Sequence, residues 1–181
     1  MKKKRLSMSD HEKMIERFSM EYRESYSRIN DPSAWFESAE ELRFAAQTLS
    51  GSIKKLCEND NNDWLGLTPS YMMLIGYALE NMLKCLIVHR DGKIKDKHMN
   101  GHDLLGLFKD SGIRSQHDFT KLLKQLTLFC RWAGRYPAAK SADGMGDPVD
   151  KIIVPSIHID KCDELYRLVA KEARKCNGKS P

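Results

Sequence analysis

The sequence predicts an all-α fold: an antiparallel up-and-down bundle of four to five core helices, with a peripheral helix at the N-terminus. Three observations carry this. Apolar residues recur at three- and four-residue spacing from Trp35 to Leu56, which gathers them on one face of a helix. From Tyr71 to Val88 the apolar residues cover nearly the whole circumference, the pattern of a central helix. Helix punctuation also recurs, with cap-plus-proline pairs at Asp31-Pro32 and Thr68-Pro69 and glycines at Gly92 and Gly112.

Taken in order, Ser9-x-x-Glu12 has the form of a capping box and opens a charged helix to about Arg28. Asp31 caps the second helix, and Pro32 suits its first position because the missing N–H has no intrahelical partner there. That helix runs to about Glu58, with Trp35, Phe36, Ala39, Leu42, Ala46, Leu49, Ile53 and Leu56 on its buried face. Thr68-Pro69 starts the third helix, which reaches about Arg90 and stops at Gly92. A Lys-rich loop follows, then a short helix over about 103–110. Ser115-x-x-Asp118 opens a fifth helix ending near Ala133-Gly134. The connection from Pro137 to Pro155 is long, with three prolines and two glycines, and Lys151–Val154 reads as a short extended piece. The last helix runs from about His158 to Cys176.

A chain of 181 residues fits one domain, here 9–177, between a basic leader at 1–8 and a short tail at 178–181. Hydrophobic content of 41% and charged content of 30% are those of a globular protein rather than a disordered or fibrous one. The run to Val88 has membrane length, but Glu80, Asn81 and Lys84 interrupt it, and mid-span charges are costly in lipid. A buried core helix and no membrane partner are therefore expected. Met1–Arg5 is basic but is followed by polar residues with no apolar h-region, which is not a secretory leader. Five scattered cysteines without a C-x-x-C point to a reducing, cytoplasmic setting, with Cys85 and Cys130 as small core residues. The net charge of +5 is concentrated at the two ends, so the body of the fold is not broadly basic.

Most site chemistries find no pattern. His98 and His102 are four apart, but Asn100-Gly101 between them reads as a turn and no carboxylate completes a zinc set. Asp143, Asp147 and Asp150 lack the ligand pattern of a calcium loop. There is no Gly-x-Ser-x-Gly, no glycine-rich dinucleotide fingerprint and no phosphate loop, so no metal and no cofactor are expected. A nucleotide would have to be held by side-chain cations. Arg131-Trp132-Ala133-Gly134-Arg135-Tyr136-Pro137 offers them. Two arginines one helical turn apart sit among flat aromatic faces, and guanidiniums beside aromatics bind phosphates and stack bases. The bland alternative is helix capping, with arginines favouring the C-terminal dipole and the aromatics closing the core. The candidate ligand-binding set is His102, Arg131, Arg135, Tyr136 and Lys140. Glu80 and Lys84 form an i,i+4 pair on the central helix. Buried there, both charges would need partners.

Three pieces in order carry a family resemblance: Ser38-Ala39-Glu40-Glu41-Leu42-Arg43, Ala78-Leu79-Glu80-Asn81-Met82-Leu83-Lys84, and Gly101-His102-Asp103-Leu104. Over about Trp35 to Pro137 the chain resembles the HEPN domain, a helical module associated with nucleotides and RNA. The resemblance implies a four-to-five-helix bundle, a homodimer and a prokaryotic cytoplasmic setting. Ribonuclease members carry Arg, four to six residues, then His on a late helix. Neither Arg131 nor Arg135 has a His at that spacing, and Arg90 precedes His98 by one residue too many. Arg5 and His11 fit the spacing but lie in the leader and the first charged helix.

The leading expectation is therefore a HEPN-like module that recognises RNA, a nucleotide or a cognate partner protein, in a toxin–antitoxin or defence-type system, without established catalysis. The alternatives are a metal-independent endoribonuclease that uses His102 as its catalytic residue with Arg131 or Arg135, and a purely structural interaction domain that docks a partner on the helix from Ser9 to Arg28 or on an apolar face of the bundle.

Overall fold

A computed structural model describes residues 12–17, 28–99, 101–133 and 155–176. Among these the secondary structure is helical, with no strand. The principal helices are α1 (Pro32–Glu58), α2 (Trp64–Asp91), α3 (Asp96–Met99), α4 (Leu104–Ser111), α5 (Thr120–Leu128) and α6 (Pro155–Cys176). A π-helical turn, Phe129–Ala133, continues α5. The all-α bundle expected from periodicity is what forms. Residues 12–17 are helical and each is exposed, in keeping with a peripheral first helix, whereas Lys151–Val154 and the loop before it lie outside the described residues.

Local signals set most boundaries. The Asp31 side chain accepts the Ser33 N–H at 2.9 Å and Pro32 opens α1. Gly92 ends α2 at φ 72°, with its N–H donating to the Val88 carbonyl. That left-handed conformation is nearly free for glycine alone. Asp103 caps α4 by accepting the Gly106 N–H at 3.0 Å.

Three expected starts move. The central helix begins at Trp64, not at Thr68. Pro69 lies inside it, where its missing N–H forfeits one bond to the Leu65 carbonyl, while the Thr68 hydroxyl donates to the Trp64 carbonyl at 2.8 Å. The fifth helix begins at Thr120, because Ser115 and Asp118 spend their oxygens on local turns, accepting His117 N–H and Thr120 N–H. The last helix begins at Pro155, and the Lys-rich loop contains the single turn α3.

α2 is the centre of the fold. Tyr71, Met72, Ile75, Leu79, Met82, Leu83 and Ile87 are all fully buried, and the helix is long and apolar enough to cross a membrane yet mostly covered by its neighbours. α1 packs antiparallel to it: Asn81 Nδ2 donates to Ser38 Oγ at 2.9 Å, and the Ile94 N–H beyond α2 reaches Asn30 before α1. α6 runs antiparallel to α1, with Lys54 on Asp160, Arg43 on Asp163 and the Tyr166 hydroxyl donating to Glu40. The segment from His102 to Asp110 follows the outer half of α2, His102 meeting Glu80 and the Asp110 carbonyl accepting from Arg90.

The α1–α6 seam holds a buried cation. Arg43 is 8% exposed. Its Nη2 lies 3.0 Å from Asp163 and its guanidinium sits over the Tyr166 ring at 4.9 Å. Beside it, burial pushes the Cys162 thiol up to about 12, which makes it a packing group rather than a nucleophile. Cys85 and Cys130 are fully buried core residues, as expected. At the far end of the molecule, His98 is buried against Asp110 at 2.8 Å. Lys97 first, and then His98, hold the Asp110 carboxyl down at about 2.

At Gly76, α2 lies directly against the π turn. A Cβ on Gly76 would come 2.5 Å from Cys130 Sγ and 3.5 Å from the Leu126 carbonyl. Cys130 is itself fully buried and has little room to yield. We expect Gly76→Ala to destabilise the fold by about 1–3 kcal/mol through overpacking, read as a lower midpoint in urea unfolding. An unchanged midpoint would mean that the turn shifts freely.

Candidate functional site

The face of α2 that carries Tyr77, Glu80 and Lys84, at three- and four-residue spacing, meets the His102 segment and the π turn at one corner. Glu80 and Lys84 each have side chains only 5% exposed. Lys84 Nζ lies 2.8 Å from Glu80 Oε1 and also sits over the Trp35 ring at 4.9 Å, a cation–π contact that stabilises a desolvated ammonium. The other carboxylate oxygen, Glu80 Oε2, lies 2.9 Å from His102 Nδ1. Both charges of the buried pair thus have the partners that burial demands.

This geometry settles the imidazole's proton. A carboxylate paired with Lys84 is ionised and only accepts, so Nδ1 carries the hydrogen and donates to Glu80. In the neutral ring the lone pair is then on Nε2, which has no partner among the described residues. The His102 side chain is 31% exposed. The backbone around it is pinned, since the Leu104 N–H donates both to the His102 carbonyl and to Thr127 Oγ1 on α5.

Tyr77 joins the two halves of the corner. Its ring meets the His102 ring edge-on, with centroids 5.4 Å apart and planes at 67°. Its hydroxyl donates to the Cys130 carbonyl at 2.8 Å. A π turn interrupts the regular i→i−4 ladder, and here a carbonyl within it is taken up by a side chain from α2. Arg131 is the next residue, exposed on that turn. The structure therefore brings together His102, Glu80, Lys84 and the turn bearing Arg131. Arg135, Tyr136 and Lys140 lie outside the described residues.

The expected set omitted Tyr77 and Trp35, which read as core aromatics on apolar faces. The signal for Tyr77 was its i,i+3 spacing to Glu80, a polar stripe on an otherwise apolar helix. The pairing of His98 with His102 does not form, because each imidazole takes its own carboxylate. Among the described residues no group of three or more His, Cys, Asp or Glu could hold a metal ion. The corner offers instead a fixed imidazole that can accept or donate a proton on its solvent side, next to a segment carrying a guanidinium.

The buried pair can be tested for stability and for site geometry separately. Glu80→Leu leaves Lys84 buried without its counter-charge and is expected to cost about 3–5 kcal/mol. Adding Lys84→Met should recover most of that loss in urea unfolding while His102 still lacks its orienting carboxylate. A double variant no more stable than Glu80→Leu would refute this account of the pair.

Comparison of the chain with protein-family models, with curated proteins and with solved structures finds no match.

Proposed function

We propose that this protein is a HEPN-like helical binding module that recognises RNA or a nucleotide at the His102–Arg131 corner. The observation that carries the reading is His102, whose Nδ1 is held by Glu80, whose side chain is 31% exposed, and whose ring is linked through Tyr77 to the turn bearing Arg131. A guanidinium supplies a planar, permanently charged phosphate contact, and an oriented imidazole adds a hydrogen bond to phosphate or ribose. The aromatic and cationic residues that follow in sequence, Arg135, Tyr136 and Lys140, would extend the contact along the strand.

Anisotropy titration of a labelled single-stranded RNA, with a labelled nucleotide in parallel, tests this. Arg131→Ala combined with Arg135→Ala should weaken binding by roughly tenfold or more. It should also lower the salt slope of log K by about 0.7 for each phosphate contact removed. Unchanged affinity would remove the corner from function.

The Glu80–His102 pair favours one second reading, a metal-independent endoribonuclease. An imidazole whose Nδ1–H is held by a carboxylate presents Nε2 as a general base for a ribose 2′-hydroxyl, and such proton transfer contributes typically 10²–10⁴-fold to rate. RNA cleavage by the wild type that falls by about that factor in His102→Ala is the expected result. Full cleavage by His102→Ala would end this reading.

A further inference from the structure

The outer face of α1, opposite its buried residues, carries an exposed phenylalanine between two unspent charges. Phe44 is 74% exposed. Glu41, Phe44, Thr48, Gly51 and Lys55 recur at three- and four-residue spacing, and each is exposed. They form one stripe along the helix, about 21 Å long at a rise of about 1.5 Å per residue. We propose that this face binds the same face of a second copy of the chain, the two α1 helices lying antiparallel about a two-fold axis at Thr48.

Charge is the first argument. Glu41 and Lys55 make no ion pair among the described residues, whereas Glu37 is taken by Arg28 and Lys54 by Asp160. The two unspent charges stand equally far on either side of Thr48. An antiparallel pairing about that residue sets Glu41 of each copy against Lys55 of the other, and sets Glu58 against Ser38. A parallel pairing would set Glu41 on Glu41 and Lys55 on Lys55, which repel. Shape is the second argument. The same register lays each Phe44 on Ser52 of the other copy and puts Ala45 beside Gly51. The space around Gly51 is open, since an added Cβ would meet nothing within 4 Å, and small residues at the contact let two helices approach closely. The hydroxyls of Thr48 and Ser52 donate to the Phe44 and Thr48 carbonyls of their own helix at 3.2 and 3.3 Å, so covering them strands no polar group. A single exposed apolar side chain needs no partner. Here large faces small and acid faces base under one two-fold operation, which is the self-complementarity of an isologous interface. One pair of helices is less than a standard stable interface, so the association is weak and depends on concentration. It does not rest on RNA or nucleotide binding at the His102 corner.

Sedimentation equilibrium of the full chain, from micromolar to near-millimolar concentration, tests this. The expected result is a monomer–dimer equilibrium that Phe44→Glu abolishes. Glu41→Lys and Lys55→Glu should each weaken it by roughly tenfold, because two attractive contacts become two repulsive ones. Combining the two charge changes should return it to within about threefold of the wild type, since the pairs re-form with signs exchanged. All of these are changes at exposed positions, and circular dichroism checks that each variant folds. Four outcomes overturn the proposal. A wild type that stays monomeric throughout would leave Phe44 to a partner of another kind. A dimer indifferent to Phe44→Glu would lie on another face. Single charge variants that associate as well as the wild type would break the register, as would a double variant that does not recover.

Discussion

A carboxylate and an ammonium placed on the central helix of a bundle must neutralise each other or the bundle does not close. Glu80 and Lys84 are in that position, one turn apart and both shut away from water. Their attraction alone does not offset the desolvation of two ions. The remaining stabilisation is borrowed from neighbours: the Trp35 face on α1 receives the ammonium, and the His102 imidazole ahead of α4 receives the second carboxylate oxygen. One ion pair therefore ties α1, α2 and the α4 segment together. An apolar pair of similar volume could fill the same space with equal or better stability. What the charged pair adds is orientation, because a carboxylate fixes which imidazole nitrogen keeps its proton.

The other half of the corner is positioned by backbone irregularity. The π turn at Phe129–Ala133 swings the chain out of helical register, and Gly76 lets it lie directly on α2. Tyr77 then spans from the turn's carbonyl to the imidazole ring. Aromatic rings on a core helix are usually packing residues; here the ring packs and the hydroxyl satisfies a carbonyl. The second buried cation, Arg43, follows the same logic on the α1–α6 seam, with Asp163 and the Tyr166 ring as its partners. In both places a desolvated cation contacts an aromatic ring on a neighbouring helix, Lys84 the Trp35 ring and Arg43 the Tyr166 ring.

Much of the fold was legible along the chain. Residues Phe36, Ala39, Ala46 and Ile53 are buried on α1 as their spacing demands, and the apolar circumference of Tyr71–Val88 marked the centre. The boundaries that moved did so for local reasons. Thr68-Pro69 looks the same whether the proline opens a helix or rides in its second turn, since the hydroxyl can satisfy a carbonyl in either setting. Ser115 and Asp118 cap turns rather than the helix itself. Arg43 was unreadable as a buried residue, because Glu40 and Glu41 just before it suggest an ordinary surface pairing, whereas its counter-charge, Asp163, arrives from another helix more than a hundred residues on.

What the amino-acid order determined by itself is whatever depends on neighbours a few residues away: helical periodicity, caps, glycine stops, and the Glu80–Lys84 pair at i,i+4. What only tertiary structure decided is which polar groups share an enclosed space. Glu80 and His102 are separated by a helix end, a loop and a short turn, and Tyr77 meets Cys130 across the bundle. Hydrogen bonds reach about 3 Å and depend on direction, so no spacing rule along a chain can foresee them. They follow only after apolar burial has chosen how the helices lie.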